Sequence, residues 1–393
     1  MAKFKKAIVP LIAVLLLIVL AVGIAARVGA HAQETKEKQP ETLSVTAKSA
    51  LLMDYHTGTV IYEHNPAQHL PIASMVKIMT LIVIFEEIEK GNLALDTDIS
   101  VSMNAYGMGG SQAFLDHSTV YKAGELIKTI VVASANDACV ALAEHIAGST
   151  EEFVVRMNEK AASLGLADTN FANCTGLPAP GAYSCARDVA VMTRELIRHK
   201  DFFLYSKIWM FDLTHPGGRI TELSNTNKLI RAYEGCDGGK TGFTNEAMYC
   251  LSATARRGNT RLISVIMGSP DSKERNGENA KLFNYGFANY ETRSLIVKGE
   301  TQTDPVQVQN GKEEFVSIQP ENDLYYFGKR GKQEFEYEST AAKLKAPVQA
   351  GQKAGELIVR LNGEELGRVN LITEKSIARK SYLDIINDMT SAW

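Results

Sequence analysis

The spacing of apolar residues predicts two strands and then a helix in the first part of the chain. Residues 49–64 read SALLMDYHTGTVIYEH, in which two apolar stretches flank a turn at 56–58. This arrangement is typical of two strands joined by a turn. Residues 74–90 contain a long apolar run that is followed by Gly91. Because glycine is favoured just beyond the end of a helix, we expect a helix over 74–90.

Three later stretches predict further helices and strands. Residues 123–148 have helical spacing with a break at 134–136, which predicts two consecutive helices. Residues 238–268 have strand-like patterning on both sides of Arg-Gly-Asn at 257–259, as expected for a strand hairpin. Residues 278–290 then predict an amphipathic helix.

The pattern changes after Tyr290. Residues 293–375 are rich in Val, Thr and Gly with alternating apolar positions, and predict a small all-β domain. Residues 376–393 predict an amphipathic helix, whose apolar face would contain Tyr382, Ile385, Ile386, Met389 and Trp393. Such a face fits either a helix docked on the protein or one lying on a membrane surface, although Asp384 and Asp388 oppose the membrane role.

The first 32 residues have the layout of an export signal. MAKFKK is basic, a long uncharged apolar run follows, and Ala-His-Ala precedes Gln33. This order predicts a secretory signal peptide cleaved after Ala32. The run is also long enough, at about 20 residues, to remain as a membrane anchor. Both alternatives place the rest of the chain outside the cytoplasm.

The composition is that of a globular protein with more than one domain. The chain has 393 residues, of which 45% are hydrophobic and 22% charged, so a sizeable core can form. A formal net charge of −3 gives no reason to expect nucleic acid as a partner. We divide the chain into a signal or anchor, a linker, a catalytic domain, a β domain and a tail, over residues 1–32, 33–43, 44–291, 293–375 and 376–393.

The cysteines and histidines do not predict a metal site. Neither CxxC nor HExxH spacing occurs among the five cysteines and eight histidines. The cysteines are few for a disulfide scaffold, and their odd number leaves at least one unpaired within the chain. We interpret them as buried or loop thiols, with room for one disulfide bridge. They are Cys139, Cys174, Cys185, Cys236 and Cys250.

A serine and a lysine at the start of the helix predicted over 74–90 carry the first chemical signal. Residues three apart share a helix face, so Lys77 can direct its amine at the Ser74 hydroxyl. Serine is a weak nucleophile until a base takes its proton, and lysine with its ordinary pKa of about 10.4 is too fully protonated to do so. Burial lowers the pKa of a lysine, and the residues around Lys77 are apolar. We expect Lys77→Arg to fold but to be inactive, since arginine stays charged.

Two further motifs make this signal specific. Ser-Ala-Asn at 134–136 and Lys-Thr-Gly at 240–242 follow Ser74 and Lys77 in order along the chain. A single S-x-x-K match can arise by chance, whereas the ordered set of three is typical of the active-site serine enzymes that recognise penicillin. Residues 102–104 also fit S-x-N, but they lie too near Lys77 and lack the Asp-Ala that follows the other match.

From Ser44 to Tyr290 the chain resembles the low-molecular-mass penicillin-binding proteins, a family of serine-type D-alanyl-D-alanine carboxypeptidases. Residues 293–375 are similar to the β domain of this family. The resemblance implies an α/β (α+β) catalytic domain of the serine β-lactamase and D,D-peptidase type, in which helices and a helical subdomain flank an antiparallel sheet, followed by a small all-β domain. The matching stretches are ASMVKIMT, SANDA, MNEKAASLGLADTNFANCTGL, NTNKL and CDGGKTGFT.

The resemblance implies catalytic roles for the first two motifs. Ser74 would attack the carbonyl carbon of the penultimate D-Ala, and Lys77 would take the serine proton. Ser134 would pass a proton to the departing D-Ala amine, and Asn136 would hold the substrate amide.

The third motif would bind the end of the substrate. Lys240 would supply positive charge and help to keep Lys77 neutral, and Thr241 would donate a hydrogen bond to the terminal carboxylate. Gly242 would allow the substrate to approach the strand closely. The backbone N–H groups of Phe243 and Ser74 would form the oxyanion hole.

The implied partners are peptidoglycan stem peptides that end in D-Ala-D-Ala, with β-lactams as covalent inhibitors. No cofactor, metal or nucleic acid is implied. The expected location is outside the cytoplasm at the cell wall or membrane, with the N-terminal segment or the C-terminal tail as the contact with a membrane surface.

Three positions depart from the usual family pattern. Val76 stands where the family often has Thr, and we expect little effect because its side chain would point away from the nucleophile. Residues 182–184 read Ala-Tyr-Ser where the family often has His-Tyr-Ser, which changes a loop contact. Residues 116–119 read DHST where a glycine turn is more usual. All three motifs are intact.

Other functions within the same fold remain as alternatives. A class A β-lactamase needs a glutamate to activate the deacylating water, and no glutamate between Ser134 and Lys240 has the expected asparagine four residues later. A non-catalytic penicillin-binding sensor or wall-binding protein would be expected to have lost a motif residue. Endopeptidase or transpeptidase activity would use the same acyl-enzyme, and the sequence does not separate these from a carboxypeptidase.

Overall fold

The computed structural model describes residues 43–300 and 304–391, so the predicted export signal and most of the linker lie outside the described residues. The α-helices are α1 Lys77–Glu89, α2 Met103–Tyr106, α3 Ala123–Ala133, α4 Asn136–Ala147, α5 Thr150–Ser163, α6 Ala186–Leu196, α7 Phe202–Ser206, α8 Leu229–Ala232, α9 Ser272–Asn289 and α10 Tyr382–Ser391.

The strands fall into a set before α9 and a set after it. The first set is β1 Ser49–Asp54, β2 Val60–His64, β3 Asp98–Ser100, β4 Val120–Lys122, β5 Met210–Thr214, β6 Ile220–Ser224, β7 Cys236–Thr244, β8 Met248–Arg257 and β9 Thr260–Ser269. The second set is β10 Tyr290–Ile296, β11 Val306–Gln309, β12 Phe315–Val316, β13 Ile318–Pro320, β14 Leu324–Lys329, β15 Phe335–Ser339, β16 Leu344–Lys345, β17 Lys353–Leu361 and β18 Glu364–Thr373.

The main sheet is antiparallel, with the strand order β2-β1-β9-β8-β7. Every residue of β1 and β9 is buried, because helices cover the centre of this sheet. Helix α9 packs closely on it: a Cβ at Gly286 would lie 2.5 Å from Leu262 Cδ1. Strand β7, which carries Lys-Thr-Gly, forms one edge of the sheet.

Helix α1 lies at the centre of the helical part of this domain. Its residues from Lys77 to Phe85 are all buried, as expected of a helix that is apolar on every side. Helices α4, α5 and α6 pack around it.

All five cysteines are buried and free. The structure therefore has no disulfide bridge among them, although the sequence analysis allowed for one.

The predicted elements before residue 290 are confirmed, with two extensions. The predicted hairpin over 238–268 is three-stranded, since β7 also pairs with β8. The last predicted helix begins at Ser272 and not at residue 278. Asp271 explains the earlier start, because its carboxylate accepts hydrogen bonds of 2.8 Å from the backbone N–H groups of Lys273 and Glu274.

The second set of strands forms the β domain. It contains a four-stranded sheet in the order β13-β18-β17-β15, a three-stranded sheet in the order β12-β11-β16, and the pair β10-β14. Strand β10 follows α9 directly and continues through the predicted junction at 291–293. Thr292 connects β10 to the main sheet, since its Oγ1 donates to Asp54 Oδ1 at 2.9 Å and its backbone N–H donates to Thr260 Oγ1 at 2.8 Å.

The C-terminal stretch contains helix α10, in agreement with the predicted amphipathic helix. Its exposed apolar side chains are Tyr382, Leu383, Ile385, Ile386 and Met389, whereas Trp393 lies outside the described residues. Lys312 pairs with Asp384 at 3.3 Å, and Lys380 pairs with Asp388 at 2.6 Å. Within residues 43–300 and 304–391, none of the helices is both long and apolar enough to cross a bilayer.

Candidate active site

The serine–lysine pair lies where a short 3₁₀ turn, Ala73–Val76, leads into α1. Lys77 Nζ is 3.0 Å from Ser74 Oγ and donates a 2.6 Å hydrogen bond to the Thr175 carbonyl oxygen. Ser74 is partly exposed, whereas Lys77 is completely buried. The structure therefore brings a solvent-reachable hydroxyl into contact with a desolvated amine.

Burial lowers the pKa of Lys77, because an ammonium ion loses its hydration in the apolar core. The buried groups Cys139 and Asp137 act in the opposite direction on this pKa without reversing it. A lysine with a lowered pKa spends more time as a neutral amine, and the neutral amine is the form that can accept the Ser74 proton.

The Ser-Ala-Asn motif forms the break between α3 and α4. Ser134 ends α3 in a left-handed conformation with φ of 65°, and Asn136 begins α4. Asn136 Nδ2 donates to the Gly109 carbonyl at 2.7 Å, while its Oδ1 is buried and has no hydrogen-bond partner within the described chain. Since a buried acceptor is normally satisfied, Asn136 Oδ1 is available to a donor that enters the site.

The Lys-Thr-Gly strand joins the main sheet to this motif. Lys240 Nζ donates to Ser134 Oγ at 2.8 Å and to the Thr241 carbonyl at 3.2 Å. Burial lowers the pKa of Lys240 well below its usual range, and the positive charge of Lys77 lowers it further. Because two positive charges in one site repel each other, protonation of one lysine makes protonation of the other less favourable.

Gly242 and Phe243 lie beside the 3₁₀ turn Ala73–Val76, which we call the nucleophile turn because it carries Ser74, the predicted nucleophile. A Cβ at Gly242 would come 2.5 Å from the Ile72 carbonyl oxygen and 3.3 Å from the Met75 backbone nitrogen. The structure thus shows a close approach of β7 to the turn before α1 at Gly242. The close approach of substrate that we expected at this glycine stays a prediction. Phe243 is 52% exposed and packs on Tyr249, with ring centroids 4.4 Å apart.

Three residues of the site were not predicted individually. The Thr175 carbonyl accepts from Lys77, and a Cβ at Gly176 would lie 2.0 Å from the Ala73 carbonyl oxygen. Thr226 Oγ1 accepts a 2.7 Å hydrogen bond from Thr241 Oγ1. Thr175 and Gly176 belong to the stretch NCTGL, and Thr226 belongs to NTNKL. Both stretches carry part of the family resemblance, so the resemblance could have indicated these residues.

The second S-x-N match has a structural role. Ser102 caps α2 by accepting from the Ala105 backbone N–H at 3.0 Å, and Asn104 donates to Glu144 at 2.9 Å. Asp137, which follows Ser-Ala-Asn at 134–136, is buried and accepts hydrogen bonds from the Ala113 and Leu115 backbone N–H groups. Asp137 thereby holds the loop that lies beside Asn136.

A small apolar pocket lies beside the nucleophile turn. Its volume is about 170 Å³. Six of its lining residues are Val76, Asn170, Leu177, Pro178, Ala182 and Glu246. Both Val76 and Ala182, two positions that depart from the family pattern, line it.

In the part of the chain that the structure describes, no group of His, Cys, Asp and Glu is arranged to hold a metal ion.

Two models of known protein families match successive parts of the chain. A family model described as D-alanyl-D-alanine carboxypeptidase matches residues 33–271. A second model, described as the C-terminal domain of penicillin-binding protein 5, matches residues 290–379. The two models together cover both the domain that holds Ser74 and the β domain.

Individual relatives match over nearly the whole chain. D-alanyl-D-alanine carboxypeptidase DacF of Bacillus subtilis is 37% identical over 91% of this chain and 92% of its own length. The DacA carboxypeptidase of Escherichia coli strain K12 is 32% identical over 91% of both chains. The crystal structure of penicillin-binding protein 5 from Haemophilus influenzae has a TM-score of 0.69 at 32% identity, covering 86% of this chain and 98% of that one.

Proposed function

The chain belongs to the D-alanyl-D-alanine carboxypeptidase family, and on that premise we propose which of its residues carry the reaction. It is a serine-type D,D-carboxypeptidase that removes the terminal D-Ala from peptidoglycan stem peptides through a serine acyl-enzyme, and penicillin inhibits it. One observation supports the assignment of the nucleophile and base above all others. Ser74 Oγ lies 3.0 Å from the amine of a completely buried lysine.

Acylation begins when Lys77 takes the hydroxyl proton of Ser74. The Ser74 oxygen then attacks the carbonyl carbon of the penultimate D-Ala, and the backbone N–H groups of Ser74 and Phe243 stabilise the oxyanion. When the C–N bond breaks, Ser134 passes its proton to the leaving amine and takes up the proton that Lys77 had accepted, so that free D-Ala departs and Lys77 is neutral again. Water next hydrolyses the ester, with Lys77 as the base, and restores the Ser74 hydroxyl.

Substrate binding depends on the Lys-Thr-Gly strand and on Asn136. When substrate binds, the Thr241 hydroxyl turns its proton from Thr226 Oγ1 to the terminal carboxylate of the substrate, and Lys240 supplies positive charge beside it. A carboxylate next to Lys240 favours its protonated form, and a protonated Lys240 in turn favours neutral Lys77. Substrate binding therefore prepares the base. Asn136 Oδ1, buried without a partner, accepts from an amide N–H of the peptide.

The direct test is D-Ala release from a peptide that ends in D-Ala-D-Ala. We expect a chain that begins at Leu43 to release D-Ala, and Ser74→Ala to release none while unfolding at the same temperature as the wild type. Equal release by the two proteins would overturn the assignment of the nucleophile. Absence of release by a folded wild-type protein would favour a sensor, or an enzyme that needs crosslinked wall.

The relatives indicate in which compartment the enzyme acts, and its own sequence and structure suggest how it attaches there. The relatives act on the cell wall, so this protein acts outside the cytoplasm. We further propose that residues 1–32 direct export and that α10 contacts the membrane surface. The exposed apolar side chains of α10 and the pairing of Asp384 and Asp388 with lysines support that contact.

A further inference from the structure

A wide groove lies where the catalytic domain meets the β domain. One part of its wall consists of Tyr55 and His56, which follow β1, together with Ser294 of β10 and Tyr325 of β14, which are paired with each other across those strands. The ring centroids of His56 and Tyr325 are 4.0 Å apart, so the two domains contact each other in this wall. Of the described residues that line the groove, none belongs to the proposed active site. We call it the domain-junction groove.

The domain-junction groove is cationic, although the protein as a whole is not. Among the described residues that line it, five side chains are positively charged and one is negatively charged, whereas the full chain has a formal net charge of −3. Burial lowers the pKa of His56, so this ring adds no further charge near neutral pH. The cations are Arg198, Lys200, Lys207, Arg256 and Arg261, and the anion is Asp237.

The carboxylate of the groove already has a partner. Asp237 accepts two hydrogen bonds from the Arg261 guanidinium group, at 2.8 and 2.7 Å. Arg261 also lies over the Phe203 ring, 4.7 Å from its centroid. Because this ion pair is buried and neutral overall, it fixes the wall of the groove and leaves the four other cations without compensation from Asp237.

Most of these four cations have no acidic partner. Lys200, Lys207 and Arg256 are exposed, and none of them forms an ion pair with another described residue. Arg198 pairs with Glu195 at 3.1 Å, but that carboxylate also pairs with a lysine. Like charges that share a groove repel each other and raise the local concentration of anions. The groove is therefore complementary to a ligand with several negative charges.

The shape of the groove favours a chain over a compact anion or a flat surface. Its volume of about 1060 Å³ lies at the upper end of the range of about 300–1,000 Å³ that is usual for pockets of small ligands. The cations come from two separate stretches, 198–207 and 256–261, and a chain with charges at intervals can contact both. A phosphodiester carries its charge in the backbone of the chain, so a thin polymer can lie in the groove with its charges near the walls.

We propose that the domain-junction groove binds a polymer of polyol or sugar units joined by phosphodiester groups. The guanidinium groups of Arg198 and Arg256 and the ammonium groups of Lys200 and Lys207 bind successive phosphates through charge-assisted hydrogen bonds. The neutral units between the phosphates lie along the wall that contains the aromatic rings. Binding there holds the enzyme beside an anionic polymer of the wall and is independent of the role of Ser74.

The test measures binding of poly(glycerol phosphate) to the chain from Gln33 onwards by isothermal titration calorimetry. We expect binding that weakens at least about tenfold between about 50 mM and about 300 mM salt, because salt screens exposed charges. Lys200→Glu combined with Lys207→Glu should weaken binding at low salt at least about tenfold. D-Ala release from a soluble peptide should stay at the wild-type rate, because both lysines lie outside the active site.

The matched control reverses two lysines of the β domain that do not line the groove. Lys343 and Lys345 are exposed, and Lys343→Glu combined with Lys345→Glu changes the net charge by the same amount. This variant should keep the affinity for poly(glycerol phosphate) within about twofold of the wild type. Equal loss of affinity in the two variants would show that net charge alone acts, and would overturn the assignment to the groove.

Three further ligands test the class of polymer. Binding of poly-D-glutamate as tight as that of poly(glycerol phosphate) would overturn the preference for phosphodiesters, and equally tight binding of inorganic phosphate would overturn the need for a chain. Anionic phospholipid vesicles form the third arm. If the change at Lys200 and Lys207 abolished sedimentation with vesicles but left polymer binding intact, the groove would serve lipid headgroups and the proposal would be wrong. Absence of any binding to poly(glycerol phosphate) by the wild type would overturn it as well.

Discussion

Lys77 and Lys240 are two amines buried within one active site. Their hydrogen bonds go to neutral oxygen atoms, which belong to Ser74, Thr175, Ser134 and Thr241. Within the described residues, neither amine is in direct contact with a carboxylate, and burial lowers both pKa values. The arrangement costs folding free energy and places an amine of lowered pKa next to a serine, which exchanges stability for activity.

Replacing Lys77 by an apolar side chain should slow acylation strongly and change the stability of the fold little. We expect Lys77→Met to react with penicillin at least about 100-fold more slowly, because no base takes the Ser74 proton. Its free energy of unfolding should stay within about 1 kcal/mol of the wild type, since relief of amine desolvation offsets the lost hydrogen bond to Thr175. Acylation followed by mass spectrometry and urea unfolding measure the two quantities.

Lys77→Arg provides the matched comparison. It should be equally slow to acylate, but the complete burial of position 77 makes a permanent guanidinium costly, by about 3 kcal/mol or more. The structure thus adds a loss of stability to the sequence-based expectation that this variant folds but is inactive. Penicillin acylation at the wild-type rate by either variant would contradict the role of Lys77.

The pH dependence of acylation should report the two lysines as a pair. In the proposed mechanism the active form holds one proton, which the carboxylate of the bound ligand keeps on Lys240 while Lys77 is neutral. Acylation should thus rise with pH as the doubly protonated pair loses its first proton, and fall again as Lys240 loses the second. Both limbs should lie below the ordinary lysine pKa of 10.5, because burial lowers both pKa values.

Removing one of the two charges should change the profile in a defined direction. In Lys240→Gln the neighbouring positive charge is absent, so Lys77 keeps its proton to higher pH and the rising limb should shift upward. The falling limb should disappear. The second-order rate constant of penicillin acylation, measured between about pH 5 and pH 10, gives both limbs. A rising limb that stays in place would show that the lysines do not interact.

At the scale of the elements, the site depends on three backbone segments that approach each other more closely than side chains would allow. Strand β7 meets the nucleophile turn at Gly242, and the 170–183 loop meets it at Gly176, where a Cβ would lie 2.0 Å from the Ala73 carbonyl oxygen. These contacts hold Ser74 between the sheet and the loop that supplies the Thr175 carbonyl.

A methyl group at Gly242 should disturb the site through its contact with the Ile72 carbonyl. We expect Gly242→Ala to lower the free energy of unfolding by about 2–4 kcal/mol and to slow penicillin acylation at least about 100-fold, because the turn that carries Ser74 must shift. Thermal unfolding and acylation kinetics measure the two effects.

Gly277→Ala is the control for the glycine at 242. Position 277 lies within α9, and nothing lies within 4 Å of a Cβ placed there. Alanine should therefore stabilise the helix by up to about 1 kcal/mol and leave acylation unchanged. If Gly242→Ala behaved like Gly277→Ala, the close approach of β7 to the nucleophile turn would matter neither for stability nor for acylation.

The elements also mark how far the sequence could predict the site. Ser74, Lys77 and the two later motifs were predictable, because their residue types and order express the chemistry directly. The Thr175 carbonyl and the contact at Gly242 were not, since they arise when distant segments pack together. The start of α9 at Ser272 was missed because apolar spacing begins only later, although Asp271 and Glu274 form a readable helix start.

At the scale of the whole molecule, the catalytic and β domains share one continuous run of chain. Strand β10 follows α9 without a linker and pairs with β14 of the β domain. Thr292 ties the same strand to Asp54 and Thr260 of the main sheet. The β domain is thus joined to the catalytic domain by the continuous chain from α9 to β10 and by the hydrogen bonds of Thr292, and the tail that follows it contains α10.

The exposed face of α10 provides a test of membrane contact that leaves the active site untouched. Leu383 and Met389 are 70% and 66% exposed, and burial of such side chains in a lipid interface is worth about 1.5–3 kcal/mol each. We expect a chain that begins at Leu43 to sediment with anionic phospholipid vesicles, and Leu383→Glu combined with Met389→Glu to reduce the bound fraction at least about tenfold. D-Ala release should be equal in the two proteins, because the change lies in the tail. Sedimentation of both proteins to the same extent would contradict a membrane role for α10, and the apolar face would then have to serve a contact with protein.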